Sequence, residues 1–277
     1  DFDTAMLAEA VGAPIDHPET EPSRTVRGML NSLEDVDRLK PVDLSSHPRI
    51  HVWLETVRLV RSYFDNEIFV RGNCDQCPFS LAAMVRSLSE WMMDLLDHSR
   101  RQLVFRLLVY CTDVSIQFIR LMAEAGPHML SNGDSTAGPE LISPDDYRIF
   151  ALPFESSVIR AAHRSGLPHV LHICGNTLPI LEDMLESGTD GLELDFKTDP
   201  VAARERMDGK AVFLGNIDPS GVLARGTVQE VRQATSELLK IFAGNYRFVL
   251  NAGCAIPSGT PPENIRAMID TARSMVH

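Results

Sequence analysis

His172 and Cys174 stand two positions apart at the end of the apolar run "HVLHICG", residues 169–175. Side chains on a strand alternate between faces, so these two share one side while Ile173 faces the other. An imidazole and a thiolate on one side are donors that zinc favours. A catalytic zinc takes three protein ligands and keeps a fourth position open. The third donor must come from elsewhere in the chain. Cys254 is the candidate because it closes the run "RFVLNAGC", 247–254, at the same kind of strand end. A His-x-Cys pair on its own is more often a packed pair than a ligand set, so the two residues leave both readings open.

Positioning three such donors requires elements that end on one face. From about residue 110, helical patterns alternate with short β-rich runs, the rhythm of a parallel α/β sheet. The runs at 67–73, 127–134, 169–175, 191–195, 211–218 and 247–254 read as strands, and 13–18 is a candidate for a further short one. Ser143-Pro144-Asp145-Asp146 predicts a helix start, with its stop near Gly166. Thr260-Pro261-Pro262-Glu263 reads as a capping box, and 178–186 as a helix closed by Gly188. Asp134, His172, Cys174, Asp195, Asn216, Asp218 and Cys254 all fall at or just past strand C-termini. That end is the active-site face of a (β/α)8 barrel and the ligand face of a doubly wound sheet alike.

The 277 residues carry no low-complexity linker or short repeat, consistent with a single domain. A net charge of −12 and a pI near 5.2 argue against nucleic acid or an anionic membrane as partner. No apolar span stands out as long enough to cross a bilayer, and residues 1–20 lack the form of a signal peptide. Five scattered cysteines, an odd count, do not form a disulfide framework and fit a reducing, cytoplasmic setting.

Three longer segments carry a resemblance. "LHICGNTLPILEDMLESGTDGLELD", "FLGNIDPSGVLARGTVQEV" and "LNAGCAIPSGTPPENIRAMIDTAR" resemble the zinc-dependent, cobamide-linked methyltransferases of the uroporphyrinogen decarboxylase superfamily, above all the methylcobamide:coenzyme M branch. The likeness runs from "AEAVGAPI" to the C-terminus. It implies a (β/α)8 barrel, with a further N-terminal segment expected ahead of this chain. It implies zinc on His172, Cys174 and Cys254. It also implies a methylated corrinoid carried by a partner protein, and a small thiol or methoxy-type compound as methyl donor or acceptor. Where relatives tend to have a Gly-Pro-Phe-Thr-like turn, this chain reads "GNCDQCPFS".

Other residues hold open roles. Asp134 and Asp195 are expected to orient His172 or to serve as acid or base, the alternative being helix capping. Asn216 and Asp218 are candidates for substrate contact, although Asp218-Pro219 also has turn chemistry. His169 has the parity of a packed residue. Cys74-x-x-Cys77 competes as a redox or structural metal pair, and Cys111 reads as an inert core thiol. A porphyrinogen decarboxylase and a barrel that only stores metal or docks a partner are the alternatives. A closed zinc site with a sulfur from Cys74 or Cys77 would mark the last.

Overall fold

The computed structural model describes residues 4–18 and 23–275. Strands β1 (Ile15–Asp16) and β2 (Arg24–Thr25) pair antiparallel as a small hairpin. The candidate strand at 13–18 is therefore two residues of this hairpin and not part of the main sheet. That sheet is parallel and runs in chain order through β3 (Arg71–Gln76), β4 (Met129–Gly133), β5 (His169–Ile173), β6 (Gly191–Leu194), β7 (Val212–Ile217) and β8 (Phe248–Ala252). Helices connect successive strands, as parallel pairing requires.

The sheet is strongly curled. Three strand intervals separate β5 from β8, roughly 14 Å across a flat sheet. Yet Cys254 Sγ, just past β8, lies 3.8 Å from His172 Nε2 on β5. Sequential parallel order with this curl is the architecture of a (β/α)8 barrel. Six of its strands form the sheet, with β3 and β8 as edges among the described residues.

The expected strands agree with the structure within a few residues except the first. The apolar Ile68-Phe69-Val70 predicts a strand from 67, but Ile68 and Phe69 are exposed and β3 starts at Arg71. Its inward residues are polar, and that hides it from a hydrophobicity reading. The helix beginning at Pro144 is capped by Ser143, whose hydroxyl accepts from the Asp146 N–H at 3.1 Å. It ends at Phe150, and a second helix runs from Leu152 to Arg164. Pro153 explains the break, because it has no N–H to continue the ladder. Gly188 adopts φ +88° after the helix Leu181–Glu186, as a left-handed terminator should. The box at Thr260 does not form: its hydroxyl is buried without a partner, and the helix Pro262–Met275 starts beyond it.

One expectation about apolar spans is corrected. The segment His98–Glu124 is long and apolar enough to cross a bilayer, but half of its apolar window is buried inside the protein. Val104, Leu107, Cys111, Val114, Phe118 and Met122 put one face of it into the core. Its length and composition are those of a core helix with a wide apolar face.

Gly253 sets how closely the end of β8 approaches β6. A Cβ at this position would collide with the main-chain N of Phe196 and come within 3.1 Å of the Asp195 carbonyl carbon. Neither atom can yield without moving the backbone. Gly253→Ala is expected to cost about 1–3 kcal/mol, as overpacking does, and to push Cys254 away from β5. Chemical denaturation with zinc titration would check both effects; unchanged stability and unchanged zinc affinity would refute the close-approach account.

Candidate metal centre

The three donors meet. Cys174 Sγ lies 3.3 Å and Cys254 Sγ 3.8 Å from His172 Nε2, and all three donor atoms fall within 4.8 Å of one another. Zinc bonds of about 2.3 Å to sulfur and about 2.0–2.1 Å to nitrogen, set at tetrahedral angles, put donors about 3.6 Å apart. The cage has that size. On the other side of the ring, His172 Nδ1 lies 2.8 Å from the Glu193 carbonyl oxygen. A carbonyl only accepts, so Nδ1 carries the proton and Nε2 turns its lone pair towards the sulfurs.

The cage sits in a cavity of about 760 Å³, the size of a small-molecule site. Alternation builds its wall. Arg71, Asn73 and Asp75 of β3, Gly133 of β4, His172 of β5, Glu193 of β6 and Asn251 of β8 point inward. Arg71 grips Glu193 through two hydrogen bonds of 2.9 and 2.7 Å, and its Nε donates to Ser131 Oγ at 2.6 Å. Burial would raise the Glu193 carboxyl, but the Arg71 fork outweighs it and holds the group below the usual range. Composition and spacing did not single out this polar layer; the alternation in "RGNCDQ" is its one sequence trace.

The cage chemistry favours a cation. The hydrogen bond from Cys174 and then that with His172 hold the Cys254 thiol down to about 4. The same bond with Cys254, followed by burial, pushes Cys174 up. Burial works against protonation of His172, but its contacts with Cys254 and Glu193 prevail and raise it. Without a metal, the two sulfurs share one proton over a thiolate. An ion with affinity for sulfur would replace it.

Asp134 and Asp195, expected at His172 or as acid and base, and Asn216 and Asp218, expected at the substrate, are held by main-chain groups nearby. Asp195 accepts from the N–H groups of Gly175 (2.9 Å) and Lys197 (3.0 Å), which clamps the turn that follows Cys174. Asp134 is fully buried and accepts from Ser80 N–H at 2.7 Å. Neither carboxylate is the acceptor at His172, because the Glu193 main chain has that place. Asn216 donates to the carbonyls of Asp195 (3.2 Å) and Thr198 (2.8 Å), while Asp218 caps Ser220 and Gly221. None of the four lines the cavity. Asp134, Asp195 and Asp218 lie past the last residue of their strands, where parity no longer dictates where a side chain points, whereas Asn216 is still paired with Asn251 and turns to those two carbonyls.

His169 packs as its parity predicts: it bonds Asn132 Oδ1 at 3.0 Å, and burial lowers its pKa to about 3. Cys74, Cys77 and Cys111 are buried thiols whose ionisation burial suppresses. Cys74 and Cys77 lie outside the cavity wall and outside the donor cluster. A fourth sulfur does not close the cage among the described residues.

The chain belongs to the uroporphyrinogen decarboxylase (URO-D) family, whose model matches residues 1–275. The class is thus a curled α/β barrel with a sulfur and nitrogen cage at its mouth. Its relatives include the methylcobamide:CoM methyltransferase MtbA of Methanosarcina acetivorans, 29% identical over 99% of this chain and 78% of that protein. A uroporphyrinogen decarboxylase of Microcystis aeruginosa is 31% identical over 95% of this chain and 74% of that protein. Among solved structures, a methyltransferase from Methanosarcina mazei superposes with a TM-score of 0.88 at 27% identity. That match covers 99% of this chain and 78% of the other.

Beneath the β4 loop, Asp134 and Glu155 form a fully buried carboxyl pair. Tyr147 Oη donates to Glu155 Oε2 at 2.6 Å. Burial raises Asp134 to about 6; burial and then the Asp134 charge push Glu155 well above its ordinary value. The pair therefore holds more protons folded than unfolded, and its contribution to stability falls as pH rises from the ordinary carboxylate range of about 4 through about 6 and beyond. Glu155→Gln keeps the Tyr147 bond and removes one acid. Its melting temperature is expected to gain on the wild type as pH is raised from about 5 to about 8. Parallel pH profiles for the two proteins would rule out the shared-proton pair.

Proposed function

We propose that this chain is a zinc-dependent methyltransferase. It exchanges a methyl group between a corrinoid carried by a separate protein and a small thiol or methoxy-type compound. One observation carries the proposal: two sulfurs and an oriented imidazole converge on one point and face a 760 Å³ cavity with no fourth protein donor among the described residues. The likeness to methylcobamide:CoM methyltransferases along nearly the whole chain supports it.

His172, Cys174 and Cys254 would hold the ion. Two thiolates and a neutral imidazole balance a divalent charge, so an anionic guest meets no net repulsion from the cage. When bound, zinc supplies Lewis acidity that ionises a coordinated thiol, of which only a few per cent is thiolate at neutral pH when free, with pKa ~8.5. The remaining tasks fall to the chain itself. Glu193 fixes the His172 tautomer through its carbonyl. Asp195 holds the turn at Gly175 and so the position of Cys174. Gln76, Ser135 and Asn251 offer neutral hydrogen-bonding groups along the cavity wall.

The decarboxylase relatives support the second reading. That chemistry does not call for a cage of two sulfurs and an imidazole, and turnover of a porphyrinogen by the purified protein would establish it instead. On the methyltransferase reading, purified protein carries about one zinc per chain. Cys254→Ala loses both the metal and methyl transfer from a methylated corrinoid protein to a thiol or methoxy-type panel, while keeping its circular dichroism. Metal-free protein with full activity would end the proposal.

A further inference from the structure

The two halves of the cage arrive on strands that are not neighbours. His172 lies on β5 with Cys174 just past its end, and Cys254 follows β8, with β6 and β7 between them. Glu193 on β6 touches both halves. Its main-chain oxygen accepts from His172 Nδ1–H at 2.8 Å. Its carboxylate accepts from the Asn251 side chain, three residues before Cys254. The same carboxylate takes the Arg71 fork, and Arg71 reaches on to Ser131. One buried side chain thus links β3, β6 and β8 directly, and β4 through Arg71.

Stability is a poor explanation for this arrangement. A buried ion pair loses hydration, and a packed apolar pair of similar volume is often as stable or more so. What the charged fork supplies is direction: planar, bidentate and fixed in distance. A cage assembled across two intervening strands needs that kind of constraint.

We propose that Glu193 is the positioning residue of the metal centre. It sets the His172 ring through its main chain and the approach of Cys254 through Asn251, and Arg71 holds its carboxylate in place. This inference rests on His172, Cys174 and Cys254 being a zinc site. Removing the carboxylate leaves His172 and Cys174 together, since they are two residues apart at one strand end, but releases the β8 end that brings Cys254.

The test uses the full chain as wild type, Glu193→Ala, Glu193→Gln and Arg71→Met. Zinc affinity is measured by chelator competition, zinc–sulfur number by X-ray absorption, and folding by circular dichroism and melting temperature. Glu193→Ala is expected to weaken zinc about 10–100-fold, the usual effect of losing a residue that orients a ligand. Sulfurs per zinc should fall from two towards one. Glu193→Gln and Arg71→Met should weaken zinc in the same direction by a smaller factor. A merely structural role predicts lower melting temperatures with affinity and sulfur number unchanged in the folded protein, and that result overturns the inference. Should Glu193→Ala fail to fold, the near-isosteric Glu193→Gln decides by the same readouts. A wild type that binds no zinc overturns the zinc reading and this inference together. A wild type that binds zinc no better than folded variants overturns the inference alone.

Discussion

The site depends on the curl of one sheet. Cys254 and His172 belong to strands three intervals apart, and only strong curvature brings their donor atoms to 3.8 Å. Curvature of this degree also makes a concave interior, and the residues facing it are the polar layer of the cavity. The same bend that assembles the cage therefore creates the space beside it. Gly253 allows a close approach there, where the turn after β8 rests on the backbone after β6.

The interior is polar around the cavity and apolar below it, where Val170 and Leu214 pack, and most of the apolar core lies on the other face of the sheet. Cys74, Leu130, Leu171, Leu192 and Phe213 point outward into helices and are buried. Phe213, Phe242 and Phe248 stack where the helix Val228–Ile241 ends, with centroids 4.2 to 6.0 Å apart. Stability thus resides mainly between sheet and helices, as expected for an α/β barrel. The interior is free to hold charged groups, provided each is partnered. Arg71 and Glu193 satisfy that condition by pairing with each other.

The cage was legible because each step in finding it was local. Parity placed His172 beside Cys174, and a strand-end position marked Cys254. Most strands and the Ser143 cap were legible for the same reason. What stayed hidden depended on long-range geometry. Nothing near Arg71 in sequence announces Glu193, 122 positions away, as its partner. Asp134, Asp195 and Asp218 stood just past strand ends, where loop backbone turned them into clamps, and Asn216, still within β7, holds the carbonyls of Asp195 and Thr198. For β3, the inward row Arg71, Asn73 and Asp75 removed the apolar alternation that would have located the strand.

Family membership and site chemistry answer different questions. Proteins named as decarboxylases and as methyltransferases resemble this chain to a similar degree, so overall likeness does not separate the two activities. A shared barrel hosts many chemistries through the residues at its mouth. Here the separation rests on atoms: two sulfurs, of which the Cys254 thiol is lowered by its neighbours, and an imidazole whose Nδ1 is taken by a main-chain carbonyl so that Nε2 faces them. Those three groups are a donor set that could hold a divalent ion, and decarboxylating a pyrrole side chain has no evident use for them. The donor set, more than the fold that presents it, ties this chain to methyl transfer.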